Sequence, residues 1–162
     1  MITLPEILDK KTIKQLKKGK FHYNGAKLTM TYKQVKDRLG DALNDKPSSD
    51  YPGNKMFTAK DYPEEITFGF AGKPKWKKNQ LKLITIDYNH LDRFYDLKAK
   101  DIRKVWGKPD KKKKNSFDWD DEGIFDTYTY RYGHTWLWFD KEKNLFAMTY
   151  LNRKLQKKWG EI

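Results

Sequence analysis

The chain carries the stretch TYKQVKDRLG at residues 31–40 and a similar stretch, KAKDIRKVWG, at residues 98–107. In both, two apolar side chains four residues apart precede a glycine, and Leu39 of the first aligns with Trp106 of the second. That spacing places the apolar side chains on one side of a helix, and glycine commonly stands just past a helix end. Each stretch therefore predicts a short helix, and their recurrence predicts an internally repeated architecture.

The segments that follow the two stretches also recur, and they alternate as half-buried strands do. Residues 66–70, ITFGF, match residues 135–139, TWLWF, and residues 83–88, LITIDY, match residues 145–150, LFAMTY. The sequence thus predicts an α+β fold of two tandem α-β-β-β units, with helices packed on one face of an antiparallel sheet.

The repeat also sets the expected organisation of the chain. Residues 1–20 are expected to hold an N-terminal helix (Pro5 to Lys18), residues 21–95 the first α/β repeat unit, and residues 96–152 the second. Residues 153–162 are expected to form a basic C-terminal helix or tail. No long flexible linker separates the units, which favours one continuous sheet or a closely abutting pair.

Alternation of apolar and polar residues predicts six strands, at residues 56–59, 66–70, 81–88, 127–132, 135–139 and 145–151. The four consecutive lysines at 111–114 and the acidic stretch at 118–123 are expected in the loop that precedes the fourth of these strands.

Composition indicates a folded, basic protein. Only 37% of the 162 residues are hydrophobic, but 15% are aromatic, and each aromatic ring buries a large area. The formal net charge is +13, and most of the excess positive charge is lysine. A lysine-rich surface attracts anionic polymers and acidic proteins alike, so the charge alone does not identify the partner.

The chain has no cysteine, which excludes disulfides, cysteine nucleophiles and thiolate metal sites. It has no apolar run of membrane-spanning length. Residues 1–5 do not form a signal peptide. We expect a secreted or cell-envelope protein whose leader is absent from this chain, with the cytoplasm as the open alternative.

Residues 25–35, GAKLTMTYKQV, with Leu39-Gly40 closing the helix, resemble the opening motif of a known superfamily. Ile102 followed by residues 106–109, WGKP, resembles the end of the same motif, whereas the first copy has Asp41-Ala42 in place of the final lysine and proline. The superfamily is typified by beta-lactamase inhibitory protein and the small SmpA/OmlA outer-membrane lipoproteins, and includes Gram-positive secreted relatives. Over residues 20–152 the resemblance implies paired helices on an antiparallel sheet, a concave open face, and a binding or inhibitory role toward a protein partner.

The repeat assigns faces to the strands. Apolar residues expected to face the helices are Phe68, Phe70, Leu137 and Phe139. Because side chains alternate along a strand, Trp136 and Trp138 then point to the other face. If residues 133–134 form a two-residue hairpin turn, Arg131 lies opposite Trp136 and Thr129 opposite Trp138. Two interpretations stay open here: the terminal segment or the other unit covers the tryptophans, or they form an interaction surface.

The residues that we expect to contact a partner are Trp136, Trp138 and Arg131, with Trp76, Lys75 and Lys77 as a second contact. The lysine-rich runs also support an alternative, binding of an anionic polymer such as nucleic acid or wall teichoic acid, in which Trp76 would stack on a base. We expect a monomer.

No catalytic constellation stands out. The histidines, His22, His90 and His134, lie far apart in the sequence. Residues 118–123 match the first half of a calcium loop, but Thr129 stands where the bidentate glutamate is needed. We therefore expect these acids to neutralise the lysines at 111–114, and we expect no metal, no cofactor and no enzymatic activity.

Overall fold

The computed structural model describes residues 5–51, 54–72, 81–89, 96–119 and 123–155. Within these residues, three helices and one antiparallel sheet with strands of different lengths form an α+β fold.

The first helix, α1, covers Lys10–Lys18, so the expected start at Pro5 is wrong. Asp9 is the N-cap, and its carboxylate accepts a hydrogen bond from Thr12 N at 2.9 Å. A side-chain oxygen that satisfies a free helical N–H fixes the start more firmly than an early proline does. Gly19, with a φ of 73°, ends the helix as expected.

Both helices expected from the recurring stretches are present. Helix α2 covers Tyr32–Leu39, and Thr31 and Gln34 form a reciprocal capping box at its start. A short 3-10 turn, Gly40–Ala42, follows it. Helix α3 covers Ala99–Trp106 and ends at Gly107.

In the described ranges the sheet has eight strands: β1 (Ser49–Tyr51), β2 (Asn54–Thr58), β3 (Ile66–Ala71), β4 (Lys82–Asn89), β5 (Lys111–Trp119), β6 (Gly123–Tyr132), β7 (Thr135–Phe139) and β8 (Leu145–Leu151). Their order is β1-β2-β3-β4-β8-β7-β6-β5, and every neighbouring pair is antiparallel. Helix α2 is thus followed by four strands, α3 by four more, and the two sets meet where β4 pairs with β8.

Two strands were not predicted. Strand β1 is only three residues long, and β5 begins with the four lysines that were expected in a loop. Residues 118, 119 and 123 of the acidic stretch also lie in strands, at the ends of β5 and β6. Helices α2 and α3 therefore each precede four strands and not three. Lysine has low β propensity, but β5 is an edge strand, where lysine is common.

The main core lies between the three helices and one face of the sheet. Phe68, Phe70, Leu137 and Phe139 belong to it, which confirms the predicted faces. A smaller apolar cluster of Ala71, Ile84 and Leu151 is separate from this core, and Trp136 and Leu155 pack against it.

Helix α1 is fastened to the second half of the sheet through long-range hydrogen bonds. The Thr135 hydroxyl donates to Leu16 O at 2.9 Å, and His134 N donates to Lys17 O at 3.0 Å. Trp106 Nε1 donates to Ile7 O at 2.8 Å. The N-terminal segment is therefore an integral part of the fold. None of the helices in the described ranges is long and apolar enough to cross a bilayer.

Candidate binding groove on the open face

A shallow groove of about 220 Å³ lies on the sheet face opposite the helices. Strands β5, β6 and β7 form it, and its lining residues are Lys111, Lys113, Asn115, Thr129, Arg131, Trp136 and Trp138. In β6 and β7 these residues alternate with core residues, and Lys111 and Lys113 of β5 pair directly with Arg131 and Thr129 of β6, which places the lining on the other face. We call this site the open-face groove.

The strand register arranges the groove in two rows. Lys111 pairs with Arg131, which pairs with Trp136, and Lys113 pairs with Thr129, which pairs with Trp138. The predicted pairings of Arg131 with Trp136 and of Thr129 with Trp138 are confirmed, as is the turn at residues 133–134. The sequence did not reveal that two lysines of β5 complete the same rows.

Both tryptophans of the groove are half-buried, so each is partly covered and also keeps part of its surface exposed. Trp136 packs against the small apolar cluster, as Leu155 from the C-terminal segment also does. Trp138 is held by its indole nitrogen, which donates to the Thr149 hydroxyl oxygen at 3.2 Å. Both rings are anchored along one side and keep part of their surface open.

The lysines of β5 differ according to the face that they occupy. Lys112 Nζ lies 5.6 Å from the centre of the Tyr130 ring, and Lys114 Nζ lies 3.5 Å from Asp126 Oδ2. Lys111 and Lys113 point into the open-face groove, and neither has an ion-pair partner among the described residues. Among the described residues, the helix-facing lysines thus have an aromatic and a carboxylate partner, whereas the groove-facing lysines have no ion-pair partner.

Arg131 adds a third cation to the groove. Its Nε atom is buried and has no hydrogen-bond partner in the part of the chain that the structure describes. A buried donor without an acceptor is costly, and most such groups in folded proteins are satisfied. The groove therefore offers positive charge beside two indole rings.

A polar network on the same face reaches the groove from the middle of the sheet. The Thr85 hydroxyl donates to Asp87 Oδ1 at 3.3 Å, and Thr149 also hydrogen-bonds to this carboxyl. Burial raises the pKa of Asp87, and the two hydroxyls offset only part of that effect. Thr149 thus connects Asp87 to the indole of Trp138.

The raised pKa of Asp87 predicts a measurable pH dependence of stability. Because the folded state binds the proton more tightly than the unfolded state, the stabilisation is complete below the unfolded pKa of about 3.9 and is lost as pH rises through the folded pKa. The variant Asp87→Asn does not titrate there. Its unfolding free energy minus that of the wild type, from urea denaturation between about pH 3 and pH 8, should therefore increase across this window.

Asp126 provides the matched control, because its pKa is lowered, chiefly by the hydrogen bond from Ser116. For Asp126→Asn the same difference should decrease as pH rises, since the wild type gains its stabilisation above the unfolded pKa. A flat difference for Asp87→Asn would show that the fold does not favour the protonated carboxyl.

Several predicted features lie outside the described residues. Trp76, Lys75 and Lys77 fall in the range 73–80, and part of the acidic stretch falls in 120–122. In the ranges that are described, no three histidine, aspartate or glutamate side chains group as metal ligands do. The open-face groove is thus the candidate functional site in the described part of the chain.

No protein-family model, curated protein sequence or solved structure matches this chain.

Proposed function

We propose that the protein is a non-enzymatic binding module, secreted or attached to the cell envelope, that holds a partner protein in the open-face groove. The observation that carries the proposal is the pair Trp136 and Trp138, half-buried side by side, with Arg131 directly across from Trp136. Tryptophan and arginine are among the residues most enriched at positions that dominate binding energy in protein interfaces. The partner would be inhibited where the groove covers its own functional surface.

We further propose that the two halves of the protein are copies of one unit, as the sequence repeat and the resemblance to the inhibitory-protein superfamily suggest. In support, helix α2 precedes the consecutive strands β1 to β4, and α3 precedes β5 to β8. The halves meet at β4 and β8, so the strand order runs outward from the centre in both directions. We expect the module to act as a monomer.

A second candidate function is binding of an anionic polymer, nucleic acid or wall teichoic acid. It is favoured by Lys111 and Lys113, which line the groove without ion-pair partners in the described ranges. The net charge of +13 would add long-range attraction. Such binding would weaken steeply with salt, because it depends on release of counterions.

The two functions are separated by tryptophan substitutions. We expect Trp138→Ala to weaken partner binding about 30-fold or more, since a central tryptophan commonly contributes 2 kcal/mol or more. Immobilised wild type and variant would be exposed to extracellular and envelope fractions at about 0.15 M and about 0.5 M salt. At the higher salt the Debye length is about 4 Å, so contacts made only by exposed charges are largely screened.

Tyr62→Ala is the matched control, because Tyr62 is an exposed aromatic residue in the turn before β3, outside the groove lining. A discrete protein retained at high salt by the wild type and by Tyr62→Ala, but not by Trp138→Ala, supports the protein-binding function. Retention of salt-labile polymer alone, equally by all three baits, contradicts it. Thermal unfolding of each bait confirms that it is folded.

A further inference from the structure

We propose that the open-face groove takes an extended acidic segment of the partner, a peptide strand with carboxylates at alternate positions. This inference rests on the protein-binding function proposed above. It adds the chemistry and the conformation of the bound segment, and both follow from the cations of β5 and β6.

The groove carries positive charge that no ion pair among the described residues neutralises. Three of its seven lining residues are cationic and none is acidic. On the opposite face of the same strand, Lys114 has Asp126 and Lys112 has the Tyr130 ring. Among the described residues, the one β5 lysine with an ion-pair partner is Lys114, on the helix-facing side, so protection of an edge strand does not account for the groove-facing pair.

A carboxylate is the acceptor that suits the cations of the groove. Arg131 carries a planar fork of donors that matches a carboxylate, and Lys111 and Lys113 add two ammonium groups. Because Lys111 pairs with Arg131 across the two strands, one incoming carboxylate lies within reach of both cations. Lys113, two residues further along β5, can receive a second.

The spacing of the rows indicates an extended chain. Residues that share a face of a strand are two apart, which separates Lys111 from Lys113, and Trp136 from Trp138, by about 6.8 Å. A bound peptide in the extended conformation repeats its side chains at that same distance. Carboxylates at alternate positions of the peptide therefore have the same spacing as the cations of the two rows. The rest of the segment lies on the indole rings.

A peptide fits the anchored rings better than a nucleic acid strand does. Successive bases need open ring faces on which to stack. Trp136 already packs against the cluster that includes Ile84 and Leu151, and Trp138 is tied to Thr149 at its nitrogen. Each ring therefore has less open surface for the stacking of successive bases than a free indole has.

The test uses fluorescence anisotropy with a labelled twelve-residue peptide in which glutamate alternates with threonine. Comparison probes are the same peptide with glutamine for glutamate, a peptide of the same composition with its glutamates contiguous, and a labelled twelve-nucleotide oligothymidine. The double variant Lys111→Gln/Lys113→Gln removes the groove-facing charges. The matched double variant Lys112→Gln/Lys114→Gln removes the same charge from the same strand on the opposite face.

We expect the alternating peptide to bind most tightly, to lose about tenfold in affinity with Lys111→Gln/Lys113→Gln, and to lose less than about threefold with the matched variant. Raising the salt to about 0.5 M should bring the wild type close to the groove variant. The inference would be overturned by equal losses for the two double variants, or by no binding of the alternating peptide. It would also be overturned if oligothymidine bound more tightly than the alternating peptide, or if the two glutamate peptides bound equally. A natural partner that depends on Trp138 and not on the groove lysines would overturn it while leaving the protein-binding function intact.

Discussion

Replacing Trp106 by alanine should lower the free energy of unfolding by about 3–5 kcal/mol, the range typical for removal of a buried tryptophan. Its side chain is only 1% exposed and lies 5.2 Å from the Tyr132 ring, measured between ring centroids. Its indole nitrogen donates to Ile7 O at 2.8 Å, which fastens the segment before α1 to helix α3. The loss therefore combines a large cavity with a buried carbonyl left without its donor. Urea denaturation followed by circular dichroism measures it.

Two comparison variants show how much of the stability loss in Trp106→Ala comes from the lost hydrogen bond and how much is specific to this buried position. Trp106→Phe keeps most of the ring volume but removes the N–H group, so it should lose about 1–3 kcal/mol. Leu8→Ala, next to Ile7 and 46% exposed, should change stability by less than about 0.5 kcal/mol. A loss below about 1 kcal/mol for Trp106→Ala would contradict the packing of the N-terminal segment on α3.

The parts of the fold that the sequence predicted are those encoded by local patterns. Residues 31–40 and 98–107 contain a helix stop and two core positions each, and both became helices. The register of β6 and β7 followed from a two-residue turn and strict alternation, because a hairpin turn fixes which residues lie opposite. Local signals of this kind depend little on the rest of the chain.

The parts that were missed depend on contacts distant in sequence. Strand β5 begins with four lysines, and only its pairing with β6 at the edge of the sheet makes it a strand. Helix α1 was recognised, but its place on the second half depends on hydrogen bonds such as that from Thr135 to Leu16 O. No periodicity in the sequence reports such a contact.

The candidate site was predicted in part for the same reason. The sequence could predict the positions of Trp136, Trp138 and Arg131, because these residues lie in the β6–β7 hairpin, which is a local structure. Lys111 and Lys113 joined them only through the unpredicted strand β5. The network from Asp87 to Trp138 requires the pairing of β4 with β8, where the two halves meet. No turn or motif in the sequence predicts that pairing.

Replacing Gly133 by alanine should destabilise the protein by about 3 kcal/mol or more, because the hairpin turn of β6 and β7 is pressed against the end of α1. Gly133 has a φ of 61°, and an added Cβ would lie 2.1 Å from Lys17 O. Relief of that overlap requires α1 to move, which breaks the hydrogen bonds from His134 N to Lys17 O and from Thr135 to Leu16 O. Each such bond contributes about 1 kcal/mol, and the left-handed backbone adds about 1 kcal/mol of strain.

Gly25→Ala separates the clash from the backbone strain. Gly25 also has a positive φ, 88°, but an added Cβ would meet only Arg38 carbons, at 3.7 Å or more, an ordinary contact. This variant should therefore lose about 1 kcal/mol, and the difference between the two glycines in urea denaturation reports the contact with α1. In Gly133→Ala, amide hydrogen exchange should also accelerate in α1 while α2 keeps its protection, since α2 makes none of the broken bonds. Equal losses for the two variants would mean that α1 yields freely, and the turn would then have no steric role in holding the N-terminal helix on the sheet.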